Sequence, residues 1–123
     1  MFLTLSDDPQ PYVLEFDRPN DPHSVFYLQP QNAEQTQVYL ASHQREKQRS
    51  GAAEAQAKRL ADVDRRYLLT CLVWVENAMI EGDKISEPEE LGKLVLRLDH
   101  YQLQELIFAA QNTARLMESA KNS

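Results

Sequence analysis

The sequence predicts an α+β fold that is mostly helical, in which an N-terminal β-hairpin of two or three strands packs on a bundle of three to four helices. Five of the six prolines lie within residues 1–31, between segments rich in the aromatic and β-branched residues that are typical of strands. From residue 33 to residue 81 the chain has no proline and many residues that favour helices. We therefore expect one domain over residues 1–119, with a β-hairpin region at 1–31, a helical region at 32–119 and a disordered tail at 120–123.

The hairpin is predicted from two apolar segments, residues 12–16 and 24–28, which flank a turn-forming stretch. Residues 2–5 are a candidate third strand. Alternation along the first strand places Tyr12, Leu14 and Phe16 on one face, which we expect to point to the core. Because an isolated hairpin is marginally stable in water, we expect it to pack on a helix or to pair with a second chain.

The first helix is predicted to follow Asn32, whose side chain suits an N-cap. An apolar patch at residues 38–40 supplies its contact face, whereas residues 43–57 contain no large apolar side chain. The pair Ser50-Gly51 is the weakest point of this helical region, and we expect a kink or a short break there.

The second helix is predicted from apolar residues that recur at spacings of three and four, which is one face of an amphipathic helix. These residues are Leu60, Val63, Tyr67, Cys71, Trp74 and Ala78. Further apolar residues widen the face up to about Met79, so Trp74 is expected in the core. A buried strand over residues 68–75 is the alternative. Gly82 is expected to end the helix as a left-handed residue.

Two capping signals predict the last two helices. Residues 86–89 read as a capping box before a helix from Glu87 to about Arg97, and residues 99–102 start a helix that runs to about Ser119. The two expected apolar faces are Leu91, Leu94, Val95 and Leu98 in the first of these helices, and Leu103, Leu106, Ile107, Ala110 and Leu116 in the second.

No residue pattern predicts catalysis, a cofactor or a metal site. The histidines His23, His43 and His100 lack Cys, Asp or Glu partners at metal-ligand spacing. Asp62 and Asp64 stand two residues apart, so a helix would point them to different faces. Three glycines are too few for the usual phosphate-binding loops. We therefore predict a protein that is not an enzyme and has no cofactor.

Charge and hydropathy narrow the class of partner to proteins. The net charge of −6 argues against direct nucleic-acid binding, and the longest apolar run is too short to span a membrane. A local basic excess over residues 45–66 is interleaved with acidic residues. Its ordinary interpretation is a solvated helix face with ion pairs, and its functional interpretation is a protruding helix that meets an acidic or helical partner. The candidate partner-binding residues are Tyr27, Val38, Tyr39, Arg45, Arg49, Arg59 and Arg66.

Several short motifs accompany this order of elements. They are VLEFDRP and VFYLQPQN in the hairpin region, LVWVEN at 72–77 followed by GDKI at 82–85, and Lys-Asn-Ser at 121–123. Together they resemble small tail-assembly chaperones and related accessory proteins of long-tailed bacteriophages. The resemblance implies a non-enzymatic protein that binds a tape-measure-type or other tail protein, with self-association as a further option. It also implies the cytoplasm of an infected bacterial host.

Two alternatives stay open at the level of sequence. The first is a small acidic phage-encoded inhibitor that binds a host defence or nucleic-acid-binding complex. Such an inhibitor would gather one set of carboxylates into a single acidic face: Asp7, Asp8, Glu15, Asp17 and Asp21. The second is an uncharacterised small enzyme.

Overall fold

A computed structural model describes residues 8–112 of the 123-residue chain. Three strands, β1 (Gln10–Tyr12), β2 (Val25–Leu28) and β3 (Leu72–Glu76), form one antiparallel sheet in the order β1-β2-β3. A second, two-stranded sheet consists of β4 (Met79–Ile80) and β5 (Asp83–Lys84). The helices are α1 (Ala33–Gln48), α2 (Ala53–Cys71), α3 (Glu90–Arg97) and α4 (His100–Gln111). The predicted fold class, a mostly helical α+β protein with an N-terminal antiparallel sheet, is confirmed.

The predicted hairpin is present, but its first strand is shifted. Strand β1 ends at Tyr12, and a short 3-10 turn occupies Glu15–Asp17 in place of the second half of the predicted strand. The turn buries Leu14, which is 4% exposed, and turns Phe16 outward, where it is 65% exposed. The expectation that Phe16 faces the core is therefore wrong. The candidate strand at residues 2–5 lies outside the described residues.

Helix α1 begins where its capping signal placed it. The Asn32 side chain accepts from the Gln35 backbone N–H at 2.8 Å, and the Gln35 side chain accepts from the Asn32 N–H at 2.9 Å. This reciprocal pair satisfies two N–H groups that a helix start leaves free. The predicted break is also real, because α1 ends at Gln48 and α2 begins at Ala53. Gly51 lies between them with φ +144°, a conformation that other residues rarely adopt.

The second helix ends earlier than its apolar period predicted. Helix α2 stops at Cys71, and the next residues form β3, in which Val75 pairs with Phe26 and Trp74 pairs with Tyr27 of β2. The prediction of a helix up to Met79 is wrong over this segment, and the strand alternative is correct for Leu72–Glu76. The third strand of the sheet therefore comes from the middle of the chain.

Because β3 is a strand, the predictions for Trp74 and Gly82 also change. Trp74 is partly buried and packs against the edge of the core, whereas its strand neighbour Val75 is 1% exposed. Gly82 does not end a helix. It forms the tight turn between β4 and β5 together with Glu81, and both residues have positive φ angles, of 86° and 53°.

The last two helices form close to their predicted starts. Helix α3 begins at Glu90, after a turn, and the Glu90 Oε1 accepts from the backbone N–H groups of Ser86 and Glu87 at 3.1 and 3.0 Å. The carboxylate at the start of α3 is thus that of Glu90 and not that of Glu89. Helix α4 has the expected reciprocal cap between Asp99 and Gln102. Helix α4 ends at Gln111, so the prediction that it continues to about Ser119 is wrong. Leu116 and the tail at 120–123 lie outside the described residues.

The core lies where the three-stranded sheet, α2 and α4 meet. Gln29 of the segment after β2 donates its N–H to the Cys71 carbonyl at 2.7 Å, and the Gln31 N–H reaches the Ala110 carbonyl at 3.0 Å. The most deeply buried large side chains are Leu28, Leu68, Leu106, Ile107, Val75, Val95 and Cys71. One side of helix α2 is therefore buried in the core, and α1 and α3 pack against its other sides.

Candidate partner-binding grooves beside helix α2

A buried carboxylate joins three helices beneath the surface of the molecule. Asp64 of α2 is 2% exposed. Its Oδ1 accepts from the Tyr39 hydroxyl at 2.6 Å and lies 2.6 Å from Nε2 of His43, while its Oδ2 accepts from the Gln104 amide at 2.9 Å. A carboxylate removed from water requires such partners, because an unpaired buried charge costs several kcal/mol. The cluster therefore fixes α1 and α4 against α2.

Tyr39 belongs to this cluster and not to an exposed surface. Its side chain is 7% exposed, and its ring packs 4.4 Å from the ring of Tyr67 and 4.9 Å from that of His43. Burial, and secondly the hydrogen bond to Asp64, raise the pKa of the Tyr39 hydroxyl above its usual value. Tyr39 was expected as a partner contact. Its position is that of a structural residue, because the middle of the patch at 38–40 turns toward α2.

The cluster and its surroundings offer little reactive chemistry. Cys71 is fully buried, and burial raises the pKa of its thiol to about 12, so it stays a thiol at neutral pH. Within residues 8–112 no group of three or more His, Cys, Asp or Glu side chains could hold a metal ion. The arrangement around Asp64 is best explained as a hydrogen-bonded clamp between helices.

One groove lies between α1 and α2. It encloses about 200 Å³. Its most exposed apolar side chain is Val38, which is 62% exposed, and Arg66 of α2 closes one side. The lining residues are Val38, Tyr39, Ser42, Val63, Arg66, Tyr67 and Thr70. This groove is small and shares one wall with the Asp64 cluster.

The second groove lies between α2 and α3 and is larger, at about 510 Å³. Two leucines line it with much of their surface in solvent: Leu69 of α2 is 41% exposed and Leu96 of α3 is 64% exposed. At Gly92 a Cβ atom would meet nothing within 4 Å, so the groove is open at that point. The remaining lining residues are Asp62, Arg65, Arg66, Glu89, Lys93 and Val95. Arg66 lines both grooves, which therefore adjoin across α2.

A third concavity extends this surface beyond α3. It encloses about 430 Å³ between α3 and the β4–β5 hairpin, and it shares Lys93 and Leu96 with the α2–α3 groove. Its rim is polar, and an ion pair of 2.5 Å joins Arg97 to Glu81 across it. Of the two concavities that α3 borders, the α2–α3 groove is therefore the more apolar.

The charges that line the α2–α3 groove are incompletely paired. Arg65 reaches the Asp62 carboxylate at 3.3 Å, but the buried Arg65 Nε has no hydrogen-bond acceptor among the described residues. For Arg66 and Lys93, no ion pair is found within residues 8–112. Lys93 still attracts the Glu90 carboxylate of its own helix, so Arg66 is the cation more available to a charged partner.

The structure brings some of the predicted partner-binding residues together and separates others. Val38, Tyr39 and Arg66 meet at the α1–α2 groove. Tyr27 lies in the sheet, where its hydroxyl donates to Glu76 at 2.9 Å. The three remaining predicted residues, Arg45, Arg49 and Arg59, lie near the break between α1 and α2 or on the helix leading to it. There Glu46 forms ion pairs with Arg49 and Arg59, while Arg45 is exposed.

Sequence reasoning missed the residues that shape the larger groove. Leu96 falls outside the apolar face of α3, which the buried residues Leu91, Leu94 and Val95 form. A leucine out of phase with an amphipathic pattern was the available signal. Leu69 gave a weaker signal, because it stands inside a run at residues 67–75 in which nearly every residue is apolar.

The acidic residues of the alternative inhibitor hypothesis differ in their exposure and in their hydrogen bonds. The Asp17 carboxylate accepts from the Asn20 side chain and from the Ser24 N–H, both at 2.7 Å, and so it holds the loop before β2. These bonds lower the pKa of Asp17. Asp8, Glu15 and Asp21 are exposed, and Asp7 lies outside the described residues.

Comparisons with protein-family models, with curated proteins and with solved structures found no match. None of the helices within residues 8–112 combines the length and the apolar character that crossing a membrane requires.

Proposed function

We propose that the protein is a non-enzymatic interaction factor that binds a helical segment of a partner protein in the α2–α3 groove. The observation that carries the proposal is the pair Leu69 and Leu96, two exposed leucines on facing walls of a groove of about 510 Å³. Their helix neighbours Leu68 of α2 and Leu94 of α3 are buried. An open channel with an exposed leucine on each wall suits the helix-in-groove mode, in which one helix lays its apolar face between two others.

We further propose that the partner is a tape-measure-type protein of a long-tailed phage and that the protein is its tail-assembly chaperone. This finer assignment rests on the resemblance of the hairpin, tryptophan, glycine-turn and Lys-Asn-Ser motifs to that family. A tape-measure protein is long and helical, so it offers repeated apolar helix faces that need cover before assembly. A groove with two exposed leucines is a surface that could cover one such face.

The experiment is an affinity capture of the tagged protein from phage-infected cells, with bound proteins identified by mass spectrometry. It is run in parallel with Leu96→Asp and with Leu40→Asp. Leu40 is the matched control, since it is 49% exposed on α1 and lines neither groove. Because both leucines are exposed, we expect both variants to keep the thermal stability of the parent protein.

The proposal expects a long helical phage protein to be captured by the parent and by Leu40→Asp, and to be lost with Leu96→Asp. A charge placed between two apolar surfaces weakens their contact strongly, because the carboxylate loses its water without gaining a partner. Capture that survives Leu96→Asp would overturn the groove as the site. Capture of a host defence or nucleic-acid-binding complex in its place would overturn the chaperone assignment and favour the acidic inhibitor.

A further inference from the structure

We infer, on the basis of the proposed partner-binding role, that the α2–α3 groove selects a helix whose apolar face is bordered by carboxylates, and that Arg66 and Lys93 recognise those carboxylates. This assigns to the groove a partner of defined chemistry, an amphipathic helix with acidic edges. Contact with the two leucines alone would not discriminate between one apolar helix and another. The two cations are what would distinguish an acidic from a basic helix.

The two walls of the groove repeat the same arrangement. On α2, Arg66 precedes Leu69 by three residues, and on α3, Lys93 precedes Leu96 by three residues. Residues three apart on a helix lie on the same face, one turn from each other. Each exposed leucine therefore has a cation beside it on its own wall, and both cations line the groove.

The charge balance of the groove is opposite to that of the chain. The whole chain carries a net charge of −6. The groove is lined by three cations, Arg65, Arg66 and Lys93, and by two carboxylates, Asp62 and Glu89. Asp62 already accepts from Arg65, whose Nε still has no acceptor among the described residues. An incoming carboxylate would meet Arg66, which has no ion pair within residues 8–112, and would compete with Glu90 for Lys93.

Because of Glu89, the preference depends on where the carboxylates of the partner helix lie as well as on their number. It lies just before α3, four residues ahead of Lys93, and it lines the same groove. A uniformly acidic helix would bring a carboxylate against Glu89, which is unfavourable between like charges. The preferred partner therefore has a leucine-rich stripe and carboxylates beside it at the level of Arg66 and Lys93.

The test uses two synthetic helical peptides of about 20 residues, long enough to form a helix on binding. Both carry the same leucine stripe, flanked by glutamates in one and by lysines in the other. Fluorescence anisotropy measures binding of each labelled peptide to the full-length protein at low salt. We expect the glutamate peptide to bind about three- to tenfold more tightly, since exposed ion pairs are individually weak. High salt should reduce this preference.

Charge-reversal variants test which residues determine the peptide preference. The double variant Arg66→Glu with Lys93→Glu should invert the preference, so that the lysine peptide binds more tightly. Arg45→Glu is the matched control, because Arg45 is an exposed cation of α1 that lines neither groove, and it should keep the preference of the parent. The inference is supported if the peptide preference inverts in the double variant and stays unchanged in Arg45→Glu.

The other outcomes separate this inference from the proposed function. If both peptides bind equally and Leu96→Asp abolishes both, the groove binds helices but the inferred acidic selectivity is wrong. If the double variant keeps the preference of the parent, Arg66 and Lys93 are not the residues that recognise the carboxylates. If neither peptide binds, the inference fails together with helix docking in this groove, whatever the capture from infected cells retrieves.

Discussion

Two adjacent leucines of α2 have opposite surroundings, and so do the two sides of the helix to which they belong. Leu68 is fully buried, whereas Leu69 is 41% exposed at the α2–α3 groove. On the side of Leu68, the buried charge of Asp64 has three hydrogen-bonding neighbours. On the side of Leu69, Arg66 has no ion pair within residues 8–112.

This contrast separates residues that specify the fold from residues available for binding. A side chain can be fully packed and hydrogen-bonded within its own chain. It then has no free surface or polar group with which to bind a partner. An exposed leucine beside an unpaired cation can still gain from both apolar contact and charge pairing. Substitutions on the inner side should therefore change stability, and substitutions on the outer side should change binding.

The largest effect expected on stability is that of Leu68→Ala. Because this side chain has no exposed surface, its removal leaves a cavity in the core and should lower the free energy of unfolding by about 3–5 kcal/mol. Leu69→Ala, the matched change one residue away, should cost below about 1 kcal/mol. Urea-induced unfolding followed by circular dichroism measures both. Equal losses would mean that the two sides of α2 do not differ as described.

A smaller loss is expected for Asp64→Ala. This change leaves the Tyr39 hydroxyl and the Gln104 amide without their acceptor in a buried place, so we expect a loss of about 2–3 kcal/mol. Asp62→Ala is the control two residues away, where the carboxylate is half-exposed and forms an ion pair with Arg65, and its cost should stay below about 1 kcal/mol. The same urea experiment compares them. A loss for Asp64→Ala as small as for Asp62→Ala would show that the clamp contributes little to stability.

The parts of the fold that depend on neighbouring residues could be predicted from the sequence. The reciprocal caps at Asn32 and at Asp99, and the break at Gly51, are local features in which the relevant groups lie within a few residues. Strand β3 could not be predicted this way. Its apolar residues continue the spacing of α2, and what makes it a strand is pairing with β2, which lies more than 40 residues earlier in the chain.

The candidate site was predictable only in part, for the same reason. Val38 and Arg66 were selected from the sequence, and both line a groove. The burial of Asp64 could not be predicted, because its partner Gln104 lies 40 positions away and no local pattern indicates that contact. Leu69 and Leu96 become recognisable as a pair only after α3 has packed beside α2.

The most direct test of the account is a thiol-labelling footprint of the groove. The full sequence contains one cysteine, Cys71, which is buried and whose pKa of about 12 keeps it unreactive at neutral pH. A cysteine introduced by Leu96→Cys, or by Leu40→Cys as control, is thus the principal reactive thiol. The rate of maleimide modification is measured with and without the captured helical partner.

We expect the partner to slow modification of the Leu96→Cys variant at least about tenfold, because a covered groove admits the reagent only when the complex opens. The Leu40→Cys variant should react at nearly the same rate in both states. Unchanged labelling of Leu96→Cys in the complex, together with protection of Leu40→Cys, would contradict the α2–α3 groove as the binding site.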